Sequence, residues 1–118
     1  MRTMFLTALL VALALPASAQ TTATRVAERD RFVALTNGKA LTRFAIRLEV
    51  APNGTIGGRA FGRDVTGQWT WEDGFFCRAM EAGSTVLERN CQAVYLMDDA
   101  LRFVADRGQG DTADLAIR

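Results

Sequence analysis

The stretch Leu41-Thr42-Arg43-Phe44-Ala45-Ile46-Arg47-Leu48-Glu49-Val50-Ala51-Pro52-Asn53-Gly54-Thr55-Ile56-Gly57-Gly58-Arg59-Ala60-Phe61-Gly62 decides the fold class. From Leu41 the apolar period is two: Phe44, Ile46, Leu48 and Val50 alternate with Ala45, Arg47 and Glu49, as in a half-buried strand. Pro52-Asn53-Gly54 then turns the chain. A three-residue connection with Gly54 left-handed sets Val50 opposite Ile56, Leu48 opposite Gly58, Ile46 opposite Ala60 and Phe44 opposite Gly62. A two-residue Asn-Gly turn shifts that register by one. Gly57, Gly58, Gly62 and Gly67 imply a bent or bulged partner strand.

Downstream, Trp69 and Trp71 share one face of a strand running from about Val65, and Glu72-Asp73-Gly74 is the next turn. Phe75 to Met80 reads as a strand, and Glu81 to Thr85 reverses it. With Ser84 at the turn's centre, Cys77 falls opposite Cys91, Ala79 opposite Arg89 and Glu81 opposite Leu87. Val94 to Met97 carry this strand to Asp98-Asp99, Leu101 to Ala105 return, and Arg107 to Gly110 turn again before a short last strand, Ala113 to Ile117. Upstream, Thr24 to Ala34 alone has helical character, with Val26, Arg29, Phe32 and Val33 on one side and Asn37-Gly38 as a stop. The expectation is a mainly β domain: a short N-terminal helix packed on a curved antiparallel meander of five to seven strands, with one disulfide.

Residues 1–19 read as a signal peptide. Arg2 supplies the positive start, Met4 to Leu15 the apolar run, and Ala17-Ser18-Ala19 the small-residue cleavage site. The mature chain then begins near Gln20 as a single domain over residues 20–118, located in the periplasm or secreted, with no stable membrane insertion once the signal is removed. Lys and Arg total 14 against 13 Asp and Glu, and loss of Arg2 makes the charges balance. Such a chain has no global electrostatic reason to bind nucleic acid or an anionic membrane. In an exported protein Cys77 and Cys91 read as one disulfide, contributing about 3 kcal/mol. Their separation is not that of Cys-x-x-Cys, and two thiols without histidine make a poor zinc site, so no metal or cofactor is expected.

The chain contains no histidine, which removes the commonest general base and the usual serine-hydrolase arrangement. No catalytic residue is assigned. Glu72-Asp73 and Asp98-Asp99 sit where turns are expected, and nothing fixes a separation between Asp64 and Glu72. The candidate binding residues are Arg63, Trp69, Trp71, Phe75, Phe76 and Arg78. The aromatics are either core or an apolar recognition surface, and tryptophan and arginine are frequent in binding hot spots. Arg78, on the face opposite Cys77, either pairs with Glu88 or Glu81 or is held for a partner's carboxylate.

The run Trp69-Thr70-Trp71-Glu72-Asp73-Gly74-Phe75-Phe76-Cys77-Arg78, with Asn90-Cys91-Gln92-Ala93-Val94, resembles a group of small exported proteins of Rhodobacter-like alphaproteobacteria, largely of unknown function. The resemblance extends from about Leu41 to Val104. Some members of such groups carry the label dihydrodipicolinate reductase, but this chain has no nucleotide fingerprint and no room for two domains. Gly67-Gln68-Trp69 is similar to the Gly-x-Trp of lipocalin barrels, yet it falls late in a chain that looks too short for eight strands. A broader analogy is with small disulfide-bonded periplasmic inhibitors of lysozyme. The function expected is that of a non-enzymatic periplasmic binding or interaction protein, for a protein or small-ligand partner. The alternatives are a small periplasmic enzyme (a carboxylate-dependent hydrolase or the labelled reductase) and an envelope structural factor.

Overall fold

The computed structural model describes residues 7–14 and 22–118. Arg2 and the cleavage site Ala17-Ser18-Ala19 lie outside the described residues. Residues 7–14 form no helix or strand, and Leu9, Leu10 and Leu13 there are exposed. No helix among the described residues is long and apolar enough to cross a membrane.

The chain runs β1 (Thr24–Val26), α1 (Arg29–Thr36), β2 (Leu41–Arg43), β3 (Ile46–Val50), β4 (Thr55–Ala60), β5 (Arg63–Glu72), β6 (Phe75–Ala82), β7 (Thr85–Met97), β8 (Ala100–Val104) and β9 (Thr112–Ile117). From β2 to β9 each strand pairs antiparallel with the next in sequence, and β9 returns to pair with β2. The expected open meander of five to seven strands is therefore corrected to an eight-stranded closed barrel, with β1 added beside β7. Closure rests on Leu41 opposite Ile117 and Thr42 opposite Ala116, reinforced by the Ala40 and Arg118 amides, each donating to the other residue's carbonyl at 3.0 and 2.9 Å. So short a chain closes because two-residue turns, such as Phe44–Ala45, Phe61–Gly62 and Gly83–Ser84, spend few residues between strands.

The helix is also corrected. Thr24–Val26 is a strand pairing with β7, where Val26 lies opposite Val94, and the helix starts only at Arg29. The strand expected from Leu41 to Val50 breaks at Phe44–Ala45, where Ala45 takes φ 59°, so Phe44 is a turn residue and not opposite Gly62. The three inner pairs, Val50–Ile56, Leu48–Gly58 and Ile46–Ala60, form as expected, with Gly54 at φ 93°. Asp73 and Gly74 both have positive φ, as a two-residue type I′ hairpin requires. Cys77 lies opposite Cys91 and the disulfide is formed. Beyond it, a bulge between Arg78 and Met80 shifts the register, so Met80 faces Leu87 and Glu81 faces Val86, not Leu87.

Inward positions carry Val50, Ile56, Val65, Trp69, Phe76, Val94, Leu101, Phe103 and Leu115, all buried. Outward positions such as Arg47, Glu49, Arg59, Gln68 and Thr70 are exposed. Apolar inside and polar outside is the reverse of a membrane-spanning barrel.

Candidate functional site

Strand alternation gives the barrel two distinct ends. The turns after β3, β5 and β7 gather at one end, and those after β2, β4 and β6 at the other. Helix α1 occupies the first end and pushes Phe32 into the barrel. Its ring centroid lies 5.4 Å from Trp69, 5.2 Å from Trp71, 5.0 Å from Phe76 and 6.4 Å from Phe103. The indole N–H of Trp69 donates to the Ala51 carbonyl at 2.9 Å, and that of Trp71 to the Ala27 carbonyl at 3.0 Å. Arg29 spans the same end, donating to the Pro52 carbonyl at 2.6 Å with its guanidinium 5.1 Å from the Trp69 ring centroid. These contacts make a plug, with each indole donor satisfied at its rim.

Beyond the plug the barrel holds a cavity of about 180 Å³, walled by Leu48, Phe76, Met80, Phe103 and Leu115 and edged by Arg43, Arg78 and Gln92. Ile46, Leu48 and Met80 point inward but are only half-buried, and Arg43 is exposed, so the cavity reaches solvent at the end away from α1. An eight-stranded barrel is about wide enough for its own side chains or one small ligand.

Arg78 is the half-buried charged group of this chamber, whose other arginine, Arg43, is exposed at the mouth. The register position of Arg78 opposite Trp69 turns it inward, while neighbouring Cys77 pairs with Cys91 on the outer face. Its guanidinium donates to the backbone carbonyl of Glu88 at 2.7 Å. Among the described residues no carboxylate lies within ion-pair distance of it, so neither expected pairing, with the Glu88 or the Glu81 side chain, forms. Burial pushes its pKa below the ordinary arginine value. It stays charged throughout the physiological range, as guanidinium does.

The other candidates scatter. Trp69 and Phe76 are each 4% exposed. Trp69 belongs to the plug, whereas Phe76 also walls the cavity. Trp71 is half-buried against Phe32. Phe75 points to the outer surface, with the guanidinium carbons of Arg25 and Arg107 at 4.9 and 5.1 Å from its ring centroid. Arg63 is exposed at the open end, against Gly83. The structure thus unites Phe76 and Arg78 in one cavity and separates Arg63 and Phe75 from it. Met80 and Gln92 were missed. The alternation Gln92, Val94, Leu96 places a polar group on an otherwise apolar inner face, and that was the available signal.

Asp64 is hydrogen-bonded to Arg59 at 2.6 Å, and Glu72 pairs with Arg89 and Thr70, all exposed on the outer surface. These two carboxylates stand at opposite ends of β5, about 26 Å apart for an extended strand. Glu72 also lies near both cysteine sulfurs, but these are joined in the disulfide and offer no thiolate to a metal.

Fold and site together define a plugged, up-and-down antiparallel barrel with one open, arginine-edged apolar cavity. Compared with protein-family models, curated proteins and solved structures, the chain matches none of them.

Proposed function

We propose that this is a non-enzymatic binding protein of the periplasm or extracellular space, whose barrel takes a small ligand with an apolar body and an anionic head. The observation that carries the reading is Arg78, a half-buried cation edging an apolar cavity and satisfied only by a backbone carbonyl. A desolvated guanidinium is most strongly relieved by a carboxylate or phosphate, which it grips through charge-assisted hydrogen bonds. The cavity volume of about 180 Å³ sets the size of the body. An engineered protein cavity of about 150 Å³ holds benzene, so one ring or a chain of about six carbons fits here. Gln92 adds a neutral polar group at the same edge. The disulfide, together with the export expected from the sequence, fits a ligand met outside the cytoplasm.

Calorimetric titration with hexanoate and benzoate, beside hexanol and benzyl alcohol, tests this reading. The acids bind at least tenfold more tightly than the alcohols, and Arg78→Gln removes that preference while leaving the alcohols unchanged. Equal affinity for acids and alcohols, or no binding of either at millimolar concentration, defeats it. The hydrolase alternative needs two converging carboxylates, and the placement of Asp64 and Glu72 lends it no support.

A further inference from the structure

Within residues 22–118, the large apolar side chains left exposed are Phe44, Phe61, Val86 and Leu87, and all four belong to the turns or hairpin of the open end. Phe44 and Phe61 are 88% and 68% exposed. They occupy neighbouring two-residue turns, tied together by the Phe61 amide donating to the Ala45 carbonyl at 2.8 Å. Phe61 itself takes φ 51°, and Ala45 takes φ 59°. A bulky residue is seldom found in that left-handed region, where glycine adopts the conformation without steric cost. The phenyl ring of Phe61 thus gains neither burial nor a favoured backbone from its position.

Each turn is bracketed by arginines, Arg43 and Arg47 around the first and Arg59 and Arg63 around the second. Arg47 pairs with Glu49 and Arg59 with Asp64. Among the described residues Arg43 and Arg63 reach no carboxylate within ion-pair distance. Asp114 feels the charge of Arg43, but its carboxylate is already gripped by Arg102 at 2.8 and 3.0 Å. A chain with a formal net charge of only +1 therefore gathers positive charge beside two projecting rings.

We propose that this end docks peripherally on an anionic lipid surface. Phe44 and Phe61 enter the boundary between headgroups and acyl chains, and Arg43 and Arg63 hold lipid phosphates. Rings carried singly on turn tips suit a soft, penetrable surface better than a flat protein face. The like charge of the arginines opposes a second copy of this chain at the same end. Docking places the cavity mouth against the bilayer. It does not depend on cavity occupancy, although it would bring an apolar acid to Arg78.

Sedimentation of the processed protein with vesicles of phosphatidylglycerol and phosphatidylethanolamine, beside phosphatidylcholine vesicles, tests the docking. The protein binds the anionic vesicles, more weakly as salt rises. Phe44→Ser with Phe61→Ser lowers that partitioning by roughly tenfold or more. Arg43→Gln with Arg63→Gln removes most of the salt dependence. These side chains are exposed, so an unchanged melting temperature confirms that the variants fold. Arg78→Gln keeps vesicle binding, which separates this result from the ligand titration. Failure to bind anionic vesicles at low ionic strength overturns the proposal, as does binding indifferent to the phenylalanine substitutions. A concentration-dependent dimer abolished by those substitutions overturns it in favour of self-association.

Discussion

Phe32 shows how much a single side chain carries in a barrel this small. It is wholly buried and touches four other aromatic rings from the only helical element that enters the barrel among the described residues. Phe32→Ala is expected to cost about 3–5 kcal/mol, a large part of the stability of a domain of this size. Urea unfolding followed by tryptophan fluorescence measures it, since Trp69 and Trp71 lie against that ring. Two glycines offer a sharper contrast. A Cβ on Gly58 would lie 2.0 Å from the Arg47 carbonyl oxygen, with φ at 134°, whereas one on Gly62 (φ 78°) would meet nothing within 4 Å. Gly58→Ala is expected to cost about 2 kcal/mol or more by forcing β3 from β4, and Gly62→Ala only the conformational penalty of about 1 kcal/mol. Equal midpoint shifts in the two variants would contradict that account. Arg78 was legible as a candidate because it flanks the aromatic segment and lies on the face opposite Cys77. Its lack of an acidic partner was not legible, since the bulge that brings the Glu88 carbonyl to it carries no glycine.

At the scale of elements, the β6–β7 hairpin joins the plug to the cavity and is clamped by the disulfide. Cys77→Ala with Cys91→Ala is expected to lower stability by about 3 kcal/mol, read as a shift in the denaturant midpoint. The β8–β9 pair gives a pH dependence. Asp114 is held below the usual carboxylate range, chiefly by its hydrogen bonds from Arg102, with their mutual charge and that of Arg43 adding to the effect. The folded state therefore binds this proton less readily than the unfolded chain. Its stabilisation is fully present above about pH 4 and is lost as pH falls through the lowered folded value. Both groups are largely solvated, so the contribution is modest. Thermal melts across acidic pH should show a shallower acid-side loss for Asp114→Asn than for the wild type. Turn chemistry explains which elements were readable. Gly54 and Asp73-Gly74 announce their turns. Phe44-Ala45 carries neither glycine nor an Asx residue, so a hairpin there reads as one continuous strand. Val26 fits the helical period of Phe32 equally well as a strand residue, and only its pairing with Val94 decides.

The whole molecule depends on a contact that no local pattern encodes. Two ladder pairs between β2 and β9 turn an open succession of hairpins into a ring, and only the ring gives the chain an interior. Mainly β character, antiparallel order and the cysteine pairing follow from period, turns and spacing. Closure follows from how far twist and shear carry β9 around, which is a global quantity. The same holds for the site: Trp69 and Trp71 share a face by period alone, but the two-residue Asp73-Gly74 turn sets Phe76 beside them, and only the closed ring divides that face into plug and chamber. The claim that this chamber receives the apolar body of an anionic ligand is tested most directly by nuclear Overhauser contacts between bound hexanoate and the methyl groups of the processed protein. The account predicts contacts from the chain's terminal methyl to Leu48, Met80 and Leu115, with the Arg78 guanidinium resonance shifting on binding. Contacts confined to the outer surface, or none at saturating hexanoate, would contradict it.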